Sequence, residues 1–257
     1  MKTQRTRAGF TLIELLVVIA IIAILATLAI PGGMSVLKTA RQQQAVNNCR
    51  QVIMTLKQFA ARNNTQYPDT VINPQTGGMA QNANQAFQML FQQKVATDER
   101  IFGAPAGYNP DGVIGTAPAY ERVLTPMENH WAMTAGLTDT SAGNMPLVYE
   151  NPAQPSWPPK WNTAVAGQIR PGRTWVGDQV VIGRLEGSAE VINLEGQGMA
   201  GPPKMVGGMD MFTQASEGQT MSILMPLLST SQQTHTPCGP PIPPDGTTKV
   251  ELLTNPL

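Results

Sequence analysis

The feature that most constrains this chain is an apolar segment close to its N-terminus. Residues 10–30 form a run of 21 residues in which Glu14 is the only charged one, and a helix needs about 20 mainly apolar residues to cross a bilayer. The nine residues before the run contain three basic residues and no acid, which favours a cytoplasmic location for that end. We therefore expect a single membrane-spanning helix over residues 10–33.

The position of one small residue distinguishes this N-terminus from an ordinary secretory signal. A secretory signal places its small-residue cleavage site behind the apolar stretch, whereas Gly9 stands directly before it. The apolar helix should therefore remain in the mature protein, and residues 1–9 would be a leader outside the fold. The string Gly-Phe-Thr-Leu-Ile-Glu at residues 9–14, after a basic leader, resembles the class III signal of type IV pilins and type II secretion pseudopilins.

The resemblance implies how this N-terminus is processed and used. A prepilin peptidase would cleave between Gly9 and Phe10, and the new α-amine of Phe10 would be N-methylated. The Glu14 carboxylate would then pair with the Phe10 amine of a neighbouring subunit during assembly. A carboxylate at mid-membrane costs about 2.5 to 3.5 kcal/mol on insertion scales, so Glu14 needs such a partner. The open alternative is a single-span anchor in which Glu14 reaches the lipid headgroups.

A second helical segment follows the apolar run. Pro31 and the two glycines after it predict a kink or a local break of the helix. Helical periodicity then resumes over residues 34–62, where an apolar stripe predicts packing on a globular head. The stripe consists of Ala45, Cys49, Val52, Ile53, Leu56 and Phe59.

The same segment has a basic face. Residues 34–62 contain no acid, and their basic residues are Lys38, Arg41, Arg50, Lys57 and Arg62. Such a face could meet DNA or anionic lipid headgroups. We favour a solvated or subunit-facing surface, because no nucleic-acid motif accompanies it. The full chain has 17 basic and 17 acidic residues, and the leader holds three of the basic ones, so the mature chain has 14 against 17. This balance argues against nucleic acid as a partner.

The middle of the chain predicts an α+β head at residues 63–195. Helices are expected at 82–95 and 120–124, and strands at 146–150, 179–184 and 189–194. A Gly-containing turn joins the last two strands. Together these elements predict a small antiparallel sheet with loop-rich insertions, packed on the long N-terminal helix. The pilin resemblance implies the same fold.

The last part of the chain loses this pattern. Residues 196–257 are rich in Gly, Met and Pro and predict a C-terminal region that is partly disordered. Within it, residues 222–228 could dock as a short helix or strand, and a Met-rich partner surface is the sharper alternative. Cys49 and Cys238 are the only cysteines. They could pair in an oxidising periplasm, but we favour a buried free thiol at Cys49.

Two features of the head could carry a site. His130 with Glu128 is where acid–base chemistry would be sought, but no nucleophile motif or metal-ligand spacing accompanies them, so no enzyme is predicted. The tryptophans cluster within 45 residues and could form a glycan- or peptide-binding surface, or could pack a loop-rich subdomain. They are Trp131, Trp157, Trp161 and Trp175. No cofactor is predicted, and calcium lacks a ligand cluster, since the candidate oxygen donors Asp111, Asp139 and Asp178 are isolated in sequence.

The rest of the chain also shows a resemblance. It is similar to large pilin-like proteins of planctomycete and verrucomicrobial lineages, through phrases such as Asp-Glu-Arg-Ile-Phe at residues 98–102. The resemblance implies a structural subunit of a type II secretion pseudopilus or a type IV pilus. Its partners would be prepilin peptidase, other pilin or pseudopilin subunits and the inner-membrane assembly platform.

The resemblance also implies a location. The chain would sit in the inner membrane as a single-pass protein with a periplasmic head, and would then assemble into a periplasmic or cell-surface filament. The alternative function is a membrane-anchored periplasmic module that binds glycan or peptide through its tryptophans.

Overall fold

The computed structural model describes residues 11–204 and 207–228. Within the first helix, only the backbone of residues 26–34 is described. The leader, Phe10 and Cys238 lie outside these residues. The predictions of cleavage at Gly9, of methylation at Phe10 and of a Cys49–Cys238 disulfide therefore stay predictions, although Cys49 itself is a buried free thiol in this structure.

A long helix, α1, opens the described chain. It spans Leu12–Arg62, 51 residues, which corresponds to about 75 Å at the standard helical rise. The helix continues through residues 31–33 without interruption, so no local break occurs there, and the kink at Pro31 stays a prediction. Among the described residues, the structure contains no helix that is both long enough and apolar enough to cross a membrane.

Only the C-terminal half of α1 packs on the head. From residue 35 onwards Gln42 is the first buried side chain, and all six residues of the predicted apolar stripe are buried. The stripe faces the head because its members recur at three- and four-residue steps, which places them on one side of a helix. By contrast, the side chains of Leu12 to Leu25 are exposed. The N-terminal half of α1 therefore projects from the head.

An antiparallel sheet forms the centre of the head. Its strands are β1 (Trp131–Thr134), β2 (Pro146–Glu150), β4 (Gln179–Arg184), β5 (Ala189–Asn193) and β7 (Ile223–Leu224), in the order β5-β4-β2-β1-β7. The predicted β4–β5 hairpin is confirmed, with Val181 opposite Val191. The predicted strand at 146–150 is confirmed as β2. Its neighbour β1 was not predicted, because the apolar run at residues 131–133 is too short to stand out as a strand.

The centre of the sheet is buried on both faces, so every residue of β1 and β2 is buried. On one face, α1 packs on β2, β4 and β5, and the core there includes Val148 and Val181. Gly183 of β4 lies directly under α1, since a Cβ on it would lie 2.5 Å from Ile53 Cδ1 and 2.6 Å from Cys49 Sγ. The absence of a side chain at this glycine lets the helix approach the strand.

The second face of the sheet is covered by the segment around β3 and by part of the C-terminal region. A short sheet of β3 (Trp161–Asn162) and β6 (Met199–Ala200) and the short helix α3 (Met211–Ala215) pack there. Phe212 is fully buried and its ring lies 5.2 Å from that of Tyr149. Residues 199–204 and 207–228 therefore form part of the head, which extends past the predicted boundary at residue 195, while disorder in the rest of the C-terminal region stays a prediction. Residues 222–228 do dock, and two of them form β7, the edge strand.

Shorter elements complete the head. Helix α2 (Ala83–Gln92) confirms the prediction at 82–95 and packs its aromatic face inwards, with the Phe87 ring 5.0 Å from that of Phe102. Two 3₁₀ helices span Glu99–Phe102 and Thr163–Val165. The helix predicted at residues 120–124 is wrong: the segment forms turns, and Tyr120 and Leu124 have positive φ angles of 49° and 50°.

Candidate functional site

The projecting part of α1 exposes a long run of apolar side chains. Ten leucine, isoleucine and valine residues between Leu12 and Ile24, and Leu25 after them, are 45% exposed or more. They lie on every side of the helix, so no single face of it is polar. Soluble monomers rarely leave a contiguous apolar surface of this size uncovered. This segment therefore requires a lipid or protein environment that the single chain does not supply.

Thr11 and Glu14 form a capping box at the start of this segment. The Thr11 backbone N–H donates to Glu14 Oε2 at 2.8 Å, and the Glu14 N–H donates to Thr11 Oγ1 at 3.3 Å. The Thr11 hydroxyl also donates to Glu14 Oε2, at 2.8 Å. This reciprocal arrangement satisfies backbone donors that the first helical turn leaves unpaired, and a carboxylate there suits the helix dipole. The Glu14 carboxylate thus has two hydrogen-bond donors within its own chain.

Most residues of the predicted basic face of α1 contact other parts of the same chain. Arg50 Nη2 donates to the Ala189 carbonyl at 2.9 Å, and Lys57 Nζ donates to the Leu185 carbonyl at 3.2 Å. Lys57 also lies 2.8 Å from Asp139 Oδ1. Arg62 similarly donates to a carbonyl next to α2. Arg50 and Lys57 hold the helix against the β4–β5 hairpin, and Arg62 holds its C-terminal end beside α2.

His130, the candidate catalytic histidine, is buried in the head. Its Nδ1 accepts from the Tyr108 backbone N–H at 3.4 Å, and its Nε2 lies 3.3 Å from Glu150 Oε1. Burial holds the pKa of His130 below its ordinary value, partly offset by Glu150. Glu128, its predicted partner, instead accepts from the Thr125 N–H at 2.6 Å. The structure therefore does not bring His130 and Glu128 together.

Glu150 is the centre of a buried polar cluster that the sequence analysis missed. Its Oε1 accepts from Trp175 Nε1 at 2.7 Å and lies 3.8 Å from Arg173 Nη2. The Arg173 guanidinium lies 4.7 Å from the centre of the Trp175 ring, a cation–π contact. The signal available in the sequence was a charged residue at the end of the apolar strand Pro-Leu-Val-Tyr-Glu. Nothing in the sequence indicated Arg173 as the partner, since it lies in an irregular loop.

This polar cluster lies in the interior of the head and links several of its elements. Glu150 and His130 are 1% exposed and Arg173 is 2% exposed, so all three side chains are closed off from solvent. Its contacts join β1, β2 and the loop before β4 into one unit.

Three of the four tryptophans are packing residues. Trp131 and Trp161 are fully buried and Trp175 is 4% exposed, while Trp157 is partly buried. Trp161 donates to the Glu150 carbonyl at 3.0 Å, and Trp157 stacks edge-on against Phe212. These rings give no support to the alternative of a tryptophan-rich binding surface: Trp157 and Trp161 pack on the second face of the sheet, whereas Trp131 and Trp175 belong to the core that includes α1.

The acidic residues considered for calcium have separate roles. Asp111 accepts from the Val113 N–H at 2.7 Å, and Asp139 contacts Lys57 and Tyr67. Glu99, in the wall of a groove near Asp111, accepts from the backbone N–H of Gly112 at 2.6 Å. Among the residues that the structure describes, no three His, Cys, Asp or Glu side chains converge to hold a metal.

Comparison with known proteins identifies the N-terminal segment. Residues 4–30 match the model of the prokaryotic N-terminal methylation motif. This is the prepilin motif of type IV pilin-like proteins, and the match confirms the resemblance seen in residues 9–14. No significant match is found among curated proteins or among solved structures. The motif covers Glu14 and the exposed apolar side chains from Leu12 to Leu25.

Proposed function

We propose that this protein is a pilin-like structural subunit of a type II secretion pseudopilus or a type IV pilus. One observation carries the proposal: the segment that matches the methylation motif is also the part of α1 whose apolar side chains project uncovered from a folded head. A subunit that assembles through its N-terminal helix needs both features. The helix is stored in lipid before assembly and packs on other helices afterwards.

The processing step uses residues 9–14. Prepilin peptidase cleaves after Gly9, and Phe10 becomes the methylated N-terminus of the mature chain. The capping box supplies a physical route to assembly from there, because the Glu14 carboxylate already accepts from Thr11 at the end of the helix. Phe10 directly precedes Thr11 in the chain. A neighbouring amine then replaces or extends this contact, which sets the register between subunits.

The remaining expectations follow from this role. The helix crosses the inner membrane with the leader in the cytoplasm and the head in the periplasm. Other pilin or pseudopilin subunits and the inner-membrane assembly platform are the partners. The head is structural: its buried His130 and Glu150 stabilise the fold and perform no turnover. No cofactor is needed for this function.

The first experiment determines the mature N-terminus. Membrane fractions of cells that produce the protein with its peptidase are analysed by mass spectrometry, for the wild type and for Gly9→Val. The wild type should begin at N-methylated Phe10, and Gly9→Val should keep its leader because a branched side chain replaces the small residue at the cleavage site. A wild-type chain that is intact or cut elsewhere would contradict the proposal.

A second variant separates assembly from processing. Glutamine also serves in a capping box, so Glu14→Gln keeps the start of α1 while it removes the charge. This variant should be cleaved like the wild type but should lose filament assembly, measured by cross-linking of subunits and by shearing of filaments. Glu190→Gln, which removes a half-exposed carboxylate from β5, is the matched control and should assemble normally. Equal assembly of both variants would contradict the role of Glu14.

A further inference from the structure

The head has a loop that lies beside α1 where the helix leaves it. This loop, residues 166–178, connects the Thr163–Val165 turn to β4. A Cβ on Gly177 would lie 3.3 Å from Lys38 Nζ, so the loop contacts the helix at that level. Gln42 Nε2 donates to Gln179 Oε1 at 2.8 Å, which ties the end of the loop to the first buried turn of α1.

Both segments that make this contact carry exposed apolar side chains. On α1, Val36 is 66% exposed and Leu37 is 55% exposed; on the loop, Ile169 is 59% exposed and Val176 is 63% exposed. A Cβ on Gly167 would lie 3.0 Å from Val176 Cγ2, so the two ends of the loop are close together. We call these four residues, with the exposed Arg41 and Arg170, the neck patch.

The charge of the neck patch has one sign. Arg41 and Arg170 are exposed, and the Lys38 side chain of α1 reaches the loop. None of these three cations forms an ion pair among the described residues. Residues 34–50 contain no acid, and Asp178 at the end of the loop is the only acid in residues 166–178. Exposed apolar residues mixed with free cations are typical of a surface that binds anionic lipid headgroups.

The position of the neck patch along α1 agrees with this chemistry. Lys38 is eight residues beyond Ile30, the last residue of the apolar run, and the backbone between them is helical. Eight residues correspond to about 12 Å of helix, and each headgroup layer is about 5 to 7 Å thick. A helix that holds its apolar run in hydrocarbon therefore carries Lys38 and the loop to within about one Debye length, 8 Å at physiological salt, of the headgroup surface.

From this we infer that the neck patch docks on the anionic headgroups of the membrane that holds the precursor helix. The inference rests on the proposed function, because it requires residues 10–33 to span a bilayer. It adds a second membrane contact, made by the head itself. That contact orients the head against the bilayer before the subunit is extracted into a filament.

The test uses the full-length protein in vesicles, with Cys238→Ser to leave the buried Cys49 as the only native thiol. A bimane probe is attached at Val176→Cys, and quenching by headgroup-level spin-labelled lipid is measured. Quenching should be strong in vesicles that contain phosphatidylglycerol, weaker in pure phosphatidylcholine, and reduced at about 1 M salt, where the Debye length falls to about 3 Å.

Matched positions and charges provide the controls. Ile72 is also 61% exposed, but it lies ten residues beyond the end of α1, so a probe at Ile72→Cys should be quenched several-fold less than one at Val176. The double variant Arg41→Gln/Arg170→Gln should lose the phosphatidylglycerol-dependent quenching. Lys94→Gln/Arg122→Gln removes two other exposed cations and should retain it.

The outcomes distinguish this inference from the function on which it rests. If the protein floats with the vesicles but the Val176 probe is no better quenched than the Ile72 probe, the docking of the neck patch is wrong and the membrane-anchored function stands. If Val176→Cys instead forms disulfide-linked dimers without quenching, the patch meets a second copy, and the inference is also overturned. A full chain that does not float would count against the spanning helix itself, and with it both proposals.

Discussion

The imidazole of His130 and the carboxylate of Glu150 meet in the interior of the head, with Nε2 3.3 Å from Oε1 and both side chains 1% exposed. His130 lies just before β1 and Glu150 ends β2, and Trp131 is paired with Glu150 across the two strands. The contact therefore joins two neighbouring strands at the same end of the sheet. Arg173 and Trp175 reach the same carboxylate from the loop before β4.

Removal of the Glu150 charge should destabilise the head strongly. Glu150→Gln retains an acceptor for Trp175 Nε1 but leaves the buried Arg173 without its counter-charge. Loss of one partner of a buried ion pair costs about 3 to 5 kcal/mol. The free energy of unfolding is measured by urea denaturation in detergent. Glu190→Gln removes a half-exposed carboxylate that pairs with Arg184 and should change it by about 1 kcal/mol or less; equal effects would show that Arg173 does not depend on Glu150.

The pKa of His130 predicts a loss of stability on acidification. Burial lowers the pKa of His130 in the folded state, while Glu150 opposes and Arg173 supports the shift. Below the ordinary histidine pKa of about 6.5, the unfolded chain binds a proton that the folded chain does not. The contribution of the neutral His130 is therefore fully present above about pH 6.5 and is lost as the pH falls.

The measurement compares how steeply the free energy of unfolding changes with pH in two proteins, and not its absolute value. The free energy of unfolding is followed from about pH 7.5 to about pH 5.5, on either side of the histidine pKa, for the wild type and His130→Gln. The wild type should lose stability over this range more steeply than the variant. Burial raises the pKa of Asp69 and of Glu99, which acts in the opposite direction, so the difference between the two proteins is the readout. Parallel profiles would exclude His130 as the titrating group.

Gly183→Ala should disrupt the packing of α1 on the sheet. The new Cβ would lie 2.5 Å from Ile53 Cδ1 and 2.6 Å from Cys49 Sγ, and overpacking of this kind typically costs about 1 to 3 kcal/mol. Ile53→Val in the same chain removes the Cδ1 atom and should recover part of the loss. Gly201→Ala, where nothing lies within 4 Å of the new Cβ, is the control and should unfold like the wild type. The melting temperature of each variant, measured by thermal unfolding in detergent, distinguishes these outcomes.

Substitutions of Arg50 and Arg41 should affect the free energy of unfolding differently, although both are basic residues of α1. Arg50 donates to the Ala189 carbonyl at 2.9 Å, whereas Arg41 is exposed and forms no ion pair among the described residues. Arg50→Gln should therefore lower the free energy of unfolding by about 1 kcal/mol, the net worth of one hydrogen bond. Arg41→Gln should leave it nearly unchanged in detergent. A larger loss of stability in Arg41→Gln than in Arg50→Gln would contradict this assignment of the stabilising contact to Arg50.

The parts of the fold that were predicted correctly depend on local pattern. The stripe of α1 was visible because residues three and four apart share a helix face, and every member of it is buried. The β4–β5 hairpin was visible because two β-branched runs flank a Gly-containing turn. The prediction of a short helix at 120–124 was wrong. Its residues form turns in which Tyr120 and Leu124 have positive φ angles, and the sequence pattern does not indicate those angles.

The amino-acid sequence by itself determined the functional identity of the N-terminus: residues 4–30 match the methylation motif, and their order of leader, Gly9 and apolar run is a local property of the chain. Only the tertiary structure decided what the head does with its polar and aromatic residues. It buries Trp131 and Trp161, pairs Glu150 with Arg173 and packs Phe212 on Tyr149. These contacts join segments far apart in the chain. They form because both faces of one sheet must be covered, a requirement that no short sequence pattern contains.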